Sequence, residues 1–330
     1  MKTKIVLIVL GIFLLISGFL SFLYLSDFFT NDNSRSKIHY NLEYRNLTNT
    51  EDSGFAKIDN GNIYWISYGN DSIIKYNISS QKRETIFTLD EDQPMISNIY
   101  PSGDFIIYIK FTNNGLFNYT WEYYLFNQVT KENVYLDYIS YFIVGEFEYP
   151  NFLCHDSDNL SLYNLISESK IIINETSWAS LDGDSVYYRY VKEDKADIFI
   201  YSISQNEREC IYESINDHPS VRGKNNFLVI TESTGNRETN ITIYNVISKE
   251  LKFLMTVKSY MFDMTFDGNY LYYSPNSGSH QQIHFIDISN GYDKVIIENQ
   301  WIALGYGLPD SENNVIVWVS EKDVKLVLIS

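Results

Sequence analysis

The sequence predicts an all-β chain folded as a β-propeller, and three observations lead there. Aromatic residues make up 16% of the 330 residues, including 28 Tyr and 20 Phe, and such residues favour strands. A tight-turn signal followed by an apolar run recurs about every 40 residues. A second mark recurs later in each unit, so each unit reads as four short strands, the pattern of a propeller blade.

In chain order, the first element is "MKTKIVLIVLGIFLLISGFLSFLYLS". Residues 5–25 carry no charge, and 21 residues at about 1.5 Å rise can cross a hydrocarbon core of about 30 Å. Lys2 and Lys4 precede the run, and Ser26 to Ser34 contain no basic residue, so the positive-inside rule keeps residues 1–4 cytoplasmic. Residues 5–25 are therefore expected to be an uncleaved signal-anchor helix in the cell membrane, with the rest of the chain outside. The alternative is a secreted protein released by signal cleavage, but the apolar run is longer than a signal core and no A-x-A site follows it. Residues 26–37 read as a polar linker, and 38–330 as the extracytoplasmic propeller.

The repeat is aligned on its turn glycine. It reads "KIDNGNIYWISY" at Gly61, "YPSGDFIIYIK" at Gly103, "SLDGDSVYYRYV" at Gly183, "SVRGKNNFLVIT" at Gly223 and "TFDGNYLYYSP" at Gly268. The spacings are 42, 80, 40 and 45 residues, and the gap of 80 holds a weaker copy at "FEYPNFLCH". A last copy, "LPDSENNVIVWVS", has Ser311 and Glu312 in the expected turn. Gly suits such turns because it takes positive φ without steric cost. The second mark appears at Tyr76, Phe126, Tyr163, Tyr201, Tyr244 and Ile286, in segments such as "LYNLIS" and "IYNVIS". The aromatic runs do not alternate with polar residues, as expected of strands covered on both faces by neighbouring blades.

Six units carry the second mark, beginning near residues 54, 95, 139, 178, 218 and 260. A seventh, from Trp301, has room for three strands: "IALGYG", "NVIVWVS" and "VKLVLIS". The segment from Lys37 to Thr48 is expected to supply its outer strand and close the ring, which removes an exposed sheet edge. Seven blades are expected, with six as the alternative.

The marks "YPSGDFIIY", "SLDGDSVYY" and "TFDGNYLYY" resemble the repeats of TolB-type β-propellers, which carry a Ser-Pro-Asp-Gly-like turn before an apolar strand. The resemblance covers residues 54–330 at the level of the repeat, and no copy holds the full Ser-Pro-Asp-Gly. It implies the fold and a role in protein interactions outside the cytoplasm, and no catalytic residue.

Net charge is −17, from 42 acidic and 25 basic residues, which argues against nucleic acid and against an anionic membrane surface as partners. No HExxH, G-x-S-x-G, P-loop or dinucleotide motif occurs, so no catalytic residue and no cofactor are expected. "HDSDNLS", from His155 to Ser161, offers oxygens at alternate positions, but Asp and Asn are also the residues of a strand-to-strand turn. Cys154 and Cys210 read as two buried thiols rather than a bridge.

Seven N-x-[ST] sequons, at Asn46, Asn70, Asn77, Asn118, Asn159, Asn174 and Asn240, are candidate glycosylation sites if the domain lies outside. Together these features predict a membrane-tethered module that binds an extracytoplasmic protein or glycan. The alternatives are a passive cell-surface glycoprotein and a glycan-acting hydrolase or lyase with carboxylates at the channel mouth.

Overall fold

The structure, a computed structural model, describes residues 40–48, 52–89, 95–113, 119–136, 142–156, 159–174, 179–192, 195–214, 219–275, 281–300, 310–320 and 322–330. The expected membrane segment 5–25 and linker 26–37 lie outside the described residues. Leu42–Ser330 forms one unit, and the account below concerns that unit.

Strand β1 (Leu42–Asn46) precedes the first blade, which comprises β2 (Ser53–Asp59), β3 (Asn62–Ser67), β4 (Ser72–Asn77) and β5 (Lys82–Thr88). Blade 2 comprises β6 (Met95–Ser102), β7 (Phe105–Asn113), β8 (Tyr119–Asn127) and β9 (Asn133–Tyr135). Blade 3 holds β10 (Phe142–Glu148), β11 (Asn151–Asp156), β12 (Asn159–Asn164) and β13 (Ser169–Asn174). Blade 4 holds β14 (Ala179–Asp182), β15 (Ser185–Lys192), β16 (Lys195–Ser202) and β17 (Glu207–Glu213). In blade 5 these are β18 (Ser220–Lys224), β19 (Phe227–Ser233), β20 (Thr239–Asn245) and β21 (Glu250–Val257). Blade 6 consists of β22 (Phe262–Phe266), β23 (Tyr270–Ser274), β24 (Gln281–Asp287) and β25 (Tyr292–Gln300). Blade 7 consists of β26 (Asp310–Glu312), β27 (Val315–Ser320), β28 (Asp323–Ile329) and, as its fourth strand, β1. The first strands lie side by side around a central channel, and β26 meets β2 to close the ring.

The aromatic and aliphatic runs are the second strands, and each is shared between two junctions. Ile63 and Trp65 pack against Val315 and Val317 of blade 7, whereas Tyr64 and Ile66 pack against Ile106 and Tyr108 of blade 2. Likewise Ile107 and Ile109 face Phe147 and Phe152 of blade 3, while Tyr188 and Tyr187 face blades 3 and 5. Both faces of each run are therefore dry, which is why no polar residue alternates with the apolar ones. Each such side chain contributes about 1.5–3 kcal/mol on burial.

The N-terminal segment closes the ring as the outer strand of blade 7. Residues Leu42 to Asn46 pair antiparallel with Ile329 to Lys325. Leu47 N–H donates to the Val324 carbonyl at 2.8 Å, and Thr48 Oγ1 accepts the Val324 N–H at 2.8 Å.

Four expectations are corrected. Gly223 is not a turn residue; it lies inside β18, and the turn is formed by Asn225 and Asn226 with φ of 53° and 65°. Asn, like Gly, tolerates the left-handed region. Ser311 and Glu312 lie in β26, and Asn313 and Asn314, at φ 48° and 65°, form the turn. The first strand of blade 7 is accordingly Asp310–Glu312 rather than "IALGYG", which lies outside the described residues. Finally, Cys154 is buried but Cys210 is exposed, because β17 is the outermost strand of its blade.

The remaining marked glycines occupy turns or a bend after the first strand. Gly61, Gly103 and Gly183 have φ of 69°, 58° and 58°, and Gly268 has φ of 99° beside Asn225. In the second mark, Asn77, Asn127, Asn164 and Asn245 accept backbone N–H groups two or three residues ahead, so the Asn caps the turn to the outer strand.

Candidate functional site

In an antiparallel meander, the turns joining strands one to two and three to four fall at one end, and the other connections at the opposite end. The two ends of this propeller differ in chemistry. At the turn end, the last residues of all seven first strands line a cavity of about 260 Å³ in the channel.

Each first strand is the inner edge of its sheet, so half its backbone groups lack a strand partner. Side chains bond across the blade junctions, all the way round, to backbone groups of the first strands or of the turns that follow them. Gly103 N–H donates to Asp59 Oδ2 at 2.8 Å, Tyr149 N–H to Ser102 Oγ at 2.9 Å and Gly183 N–H to Glu148 Oε2 at 2.6 Å. Leu181 N–H also donates to Glu146 Oε2. Gly223 N–H donates to Ser180 Oγ at 3.2 Å, and Arg222 Nε donates to the Met264 carbonyl at 3.3 Å. Asn314 N–H donates to Asp267 Oδ2 at 2.9 Å, and Ile58 and Gly61 N–H to Asp310 and Glu312 at 3.0 and 3.2 Å. Every junction has at least one such bond.

Lys224 of blade 5, which lines this mouth together with Lys57 and Arg222, lies 2.6 Å from Glu148 and 3.5 Å from Asp182. Burial works against its charge, but Glu148, Asp182 and Glu146 outweigh it and push the amine up to about 12. Burial raises the carboxyls of Asp59, Glu146 and Glu312 above their ordinary range, opposed by the N–H donors above and, for Glu146, by Arg222. These carboxylates, which resemble an acid–base cluster on paper, are acceptors in the frame.

At the opposite end, blades 1, 2 and 7 enclose a cleft of about 560 Å³. Its walls include Phe55, Tyr68, Met95, Asn98, Phe111 and Trp121, with Asp52 and Lys322 paired at 3.0 Å on its rim. Trp121 is 46% and Met95 42% exposed, and the Trp121 ring meets Phe111 at 4.7 Å between centroids. The backbone is shaped for this. Phe55 has φ of 48°, an outlier for a bulky residue, in a bulge where the pairing of β2 with β3 slips between Gly54 and Lys57. Gly54 carries no Cβ because Tyr68 lies against it; a Cβ there would sit 2.5 Å from the Tyr68 hydroxyl. Strain retained at a cleft wall fits a site built for contact.

The sequence-derived candidates are spread over both ends and the perimeter. Asn46, on β1, and Asn70, in a 3₁₀ turn, are exposed. Asn77 is engaged, accepting the Ser80 N–H at 2.8 Å and donating to Asn62 Oδ1 at 2.9 Å. Asn240 accepts from Thr256 Oγ1 at 2.7 Å, while Asn159 begins β12 and Asn174 ends β13. Asn118 lies outside the described residues. The "HDSDNLS" segment spans the connection between β11 and β12, and its residues 157–158 lie outside the described residues. Among the described residues, no three or more metal-ligating side chains are grouped. His284 Nδ1 lies 3.1 Å from Asp293 and 3.2 Å from Tyr273 Oη, tying together three strands of blade 6.

No protein-family model and no curated relative matches the sequence. Solved structures match it by shape. The β-propeller domain of the trilobed protease from Pyrococcus furiosus aligns over 82% of this chain and 91% of its own, with a TM-score of 0.59 and 14% identity. The fold is that of a β-propeller domain. The propeller of Myceliophteria thermophila Cps50 (Swd1) aligns over 88% of this chain and 100% of its own, with a TM-score of 0.59 and 10% identity. The acylaminoacyl peptidase of Pyrococcus horikoshii aligns over 82% of this chain and 49% of its own, with a TM-score of 0.58 and 12% identity. The chain spans about half the length of the peptidases it matches. At these identities the likeness concerns the fold alone. The trilobed protease domain has an open velcro topology, whereas here β1 closes the last blade on β28.

Proposed function

We propose that this chain is an extracytoplasmic interaction module of TolB-like type, tethered to a membrane by residues 5–25, which docks a protein or glycan partner in the Trp121 cleft. The observation that carries this reading is the contrast between the two ends. The channel carboxylates are committed to holding neighbouring blades together, while Trp121 and Met95 stand open to solvent above an aromatic cleft. Aromatic side chains in a concave site supply most of the energy of recognition. The uncharged N-terminal run preceded by Lys2 and Lys4 supports the tether, and exposed Asn46 and Asn70 are open to a glycan on that side of the membrane.

The test uses intact cells. A membrane-impermeant maleimide should label exposed Cys210 and leave buried Cys154 until the protein is denatured. Labelling of Cys210 only after lysis rejects the outside placement. For docking, Trp121→Ala should weaken partner capture from solubilised membranes by about 30-fold or more, as expected of a Trp anchor. Its melting temperature should be unchanged, and equal capture by wild type and variant would place the docking surface elsewhere.

A further inference from the structure

The third strand of blade 2 is left half uncovered. β9 has three residues and pairs with Tyr124, Leu125 and Phe126 of β8, and Leu136 N–H donates to the Tyr123 carbonyl at 2.8 Å. Residues 119–122 have no strand on their outer side among the described residues. In the other blades at most two residues of the third strand pass beyond the outer strand, and β5 and β21 pair along the whole of β4 and β20. The chain leading on from β9 is too short to cover the gap. In the register of β9, residues 122 down to 119 would face residues 137–140, leaving one residue before Phe142 begins β10. Outer and inner strands stand three spacings apart, about 14 Å, and two Cα steps reach at most about 7.6 Å.

Tyr123 turns its carbonyl outward, so Trp121 and Tyr119, two and four residues back, turn both backbone groups the same way. Two N–H donors and two carbonyls therefore stand along an open edge. An extended peptide is the ligand whose own backbone matches that register, whereas a glycan carries no such repeat of amide donors and carbonyls. We propose that a peptide segment of the partner adds antiparallel to β8, beside residues 119–122, with an apolar residue opposite Trp121. That residue exchanges two hydrogen bonds with Trp121 and lies on the same face as its ring, which is 46% exposed. Trp121 serves both places, its backbone on the edge and its ring on the cleft wall. The inference rests on the Trp121 reading above and narrows its partner to a protein.

The probe is a fluorescein-labelled peptide, acetyl-Thr-Phe-Thr-Val-Thr-Lys-amide, titrated with the full-length chain in non-ionic detergent and read by anisotropy. Its Phe is placed to face Trp121, with the Phe and Val N–H groups turned to the edge. One aromatic contact and a few backbone bonds should give a Kd between about 10 µM and 1 mM. N-methylation of the Phe removes an edge donor and should weaken binding at least about tenfold. N-methylation of the Thr that follows it, whose N–H points away, should change binding by less than about twofold. No binding up to about 1 mM, or equal losses from the two methylated peptides, overturns the proposal. If partner capture still depends on Trp121 in that case, the cleft stands and the strand addition alone falls.

Discussion

Gly223→Ala should destabilise this propeller by about 3 kcal/mol or more, well beyond the same change at Gly61, Gly103 or Gly183. A Cβ built at Gly223 would sit 2.3 and 2.4 Å from two carbons of the Tyr187 ring. Tyr187 is 1% exposed and wedged among Ile198, Val221 and Leu228, so the ring has nowhere to withdraw. The strand cannot back away easily either, because Gly223 N–H is held by Ser180 of blade 4. At Gly61, Gly103 and Gly183 nothing lies within 4 Å of the added Cβ, and only the positive φ opposes Ala. That strain costs about 1 kcal/mol, and Asn at these positions costs less. Thermal unfolding should therefore drop by roughly 6 °C for Gly223→Ala and by about 2 °C for Gly183→Ala, at about 2 °C per kcal/mol for a large domain. Tyr187→Leu in the Gly223→Ala background should recover part of the loss. Equal shifts at Gly223 and Gly183 would show that the ring contact is not what requires glycine.

Gly223 also marks where the repeat could be read and where it could not. Turn chemistry and the apolar runs are local, so blade starts and second strands were visible as a period in the sequence. Two residues of one type at nearly the same phase, however, can serve opposite ends. Gly223 stands two residues ahead of its own Asn-Asn turn, and only the neighbouring Tyr187 explains it. The first strand of blade 7 escaped for a related reason. Asp310–Glu312 has no apolar pattern, since Asp310 and Glu312 are chosen to accept N–H groups from blade 1.

The two ends of the channel differ in how legible they were. The acceptors Asp59, Ser102, Glu148, Asp267 and Glu312 read as scattered polar residues, yet each lies one or two positions before its turn pair or bend glycine. That phase was a usable signal, because a polar residue there in every unit implies a ring of contacts between blades. The Trp121 cleft offered no such signal. It gathers the start of β2 and β6, the end of β7, the start of β8 and Lys322, segments separated by up to 270 residues and unlike one another. The repeat describes what blades share, whereas a binding cleft depends on how they differ.

Deleting residues 40–48, with residue 39 joined to 49, should lower the melting temperature by 10 °C or more, roughly 5 kcal/mol at about 2 °C per kcal/mol. β1 is five residues long, but its removal strips the outer edge of β28 along its whole paired length. Val324, Leu326, Val327 and Ile329, all 4% exposed or less, lie on the strand thus uncovered. Two further anchors go with it. Thr48 Oγ1 accepts the Val324 N–H and donates to Asp323 at 3.1 Å, and Tyr44 Oη donates to the Ile296 carbonyl of blade 6 at 2.6 Å. The Val324 N–H bond to Thr48 is buried, so its loss leaves a donor without water as well as without a partner. Blade 7 packs on blade 1 through Ile63, Trp65, Val315 and Val317, so loosening one blade loosens the ring at its only covalent gap. A synthetic peptide of residues 40–48 in excess should raise the melting temperature of the deleted protein, because it binds the folded form and not the unfolded one. A deletion variant that melts like the intact chain would show that the ring stays closed without β1, held by contacts between blades alone.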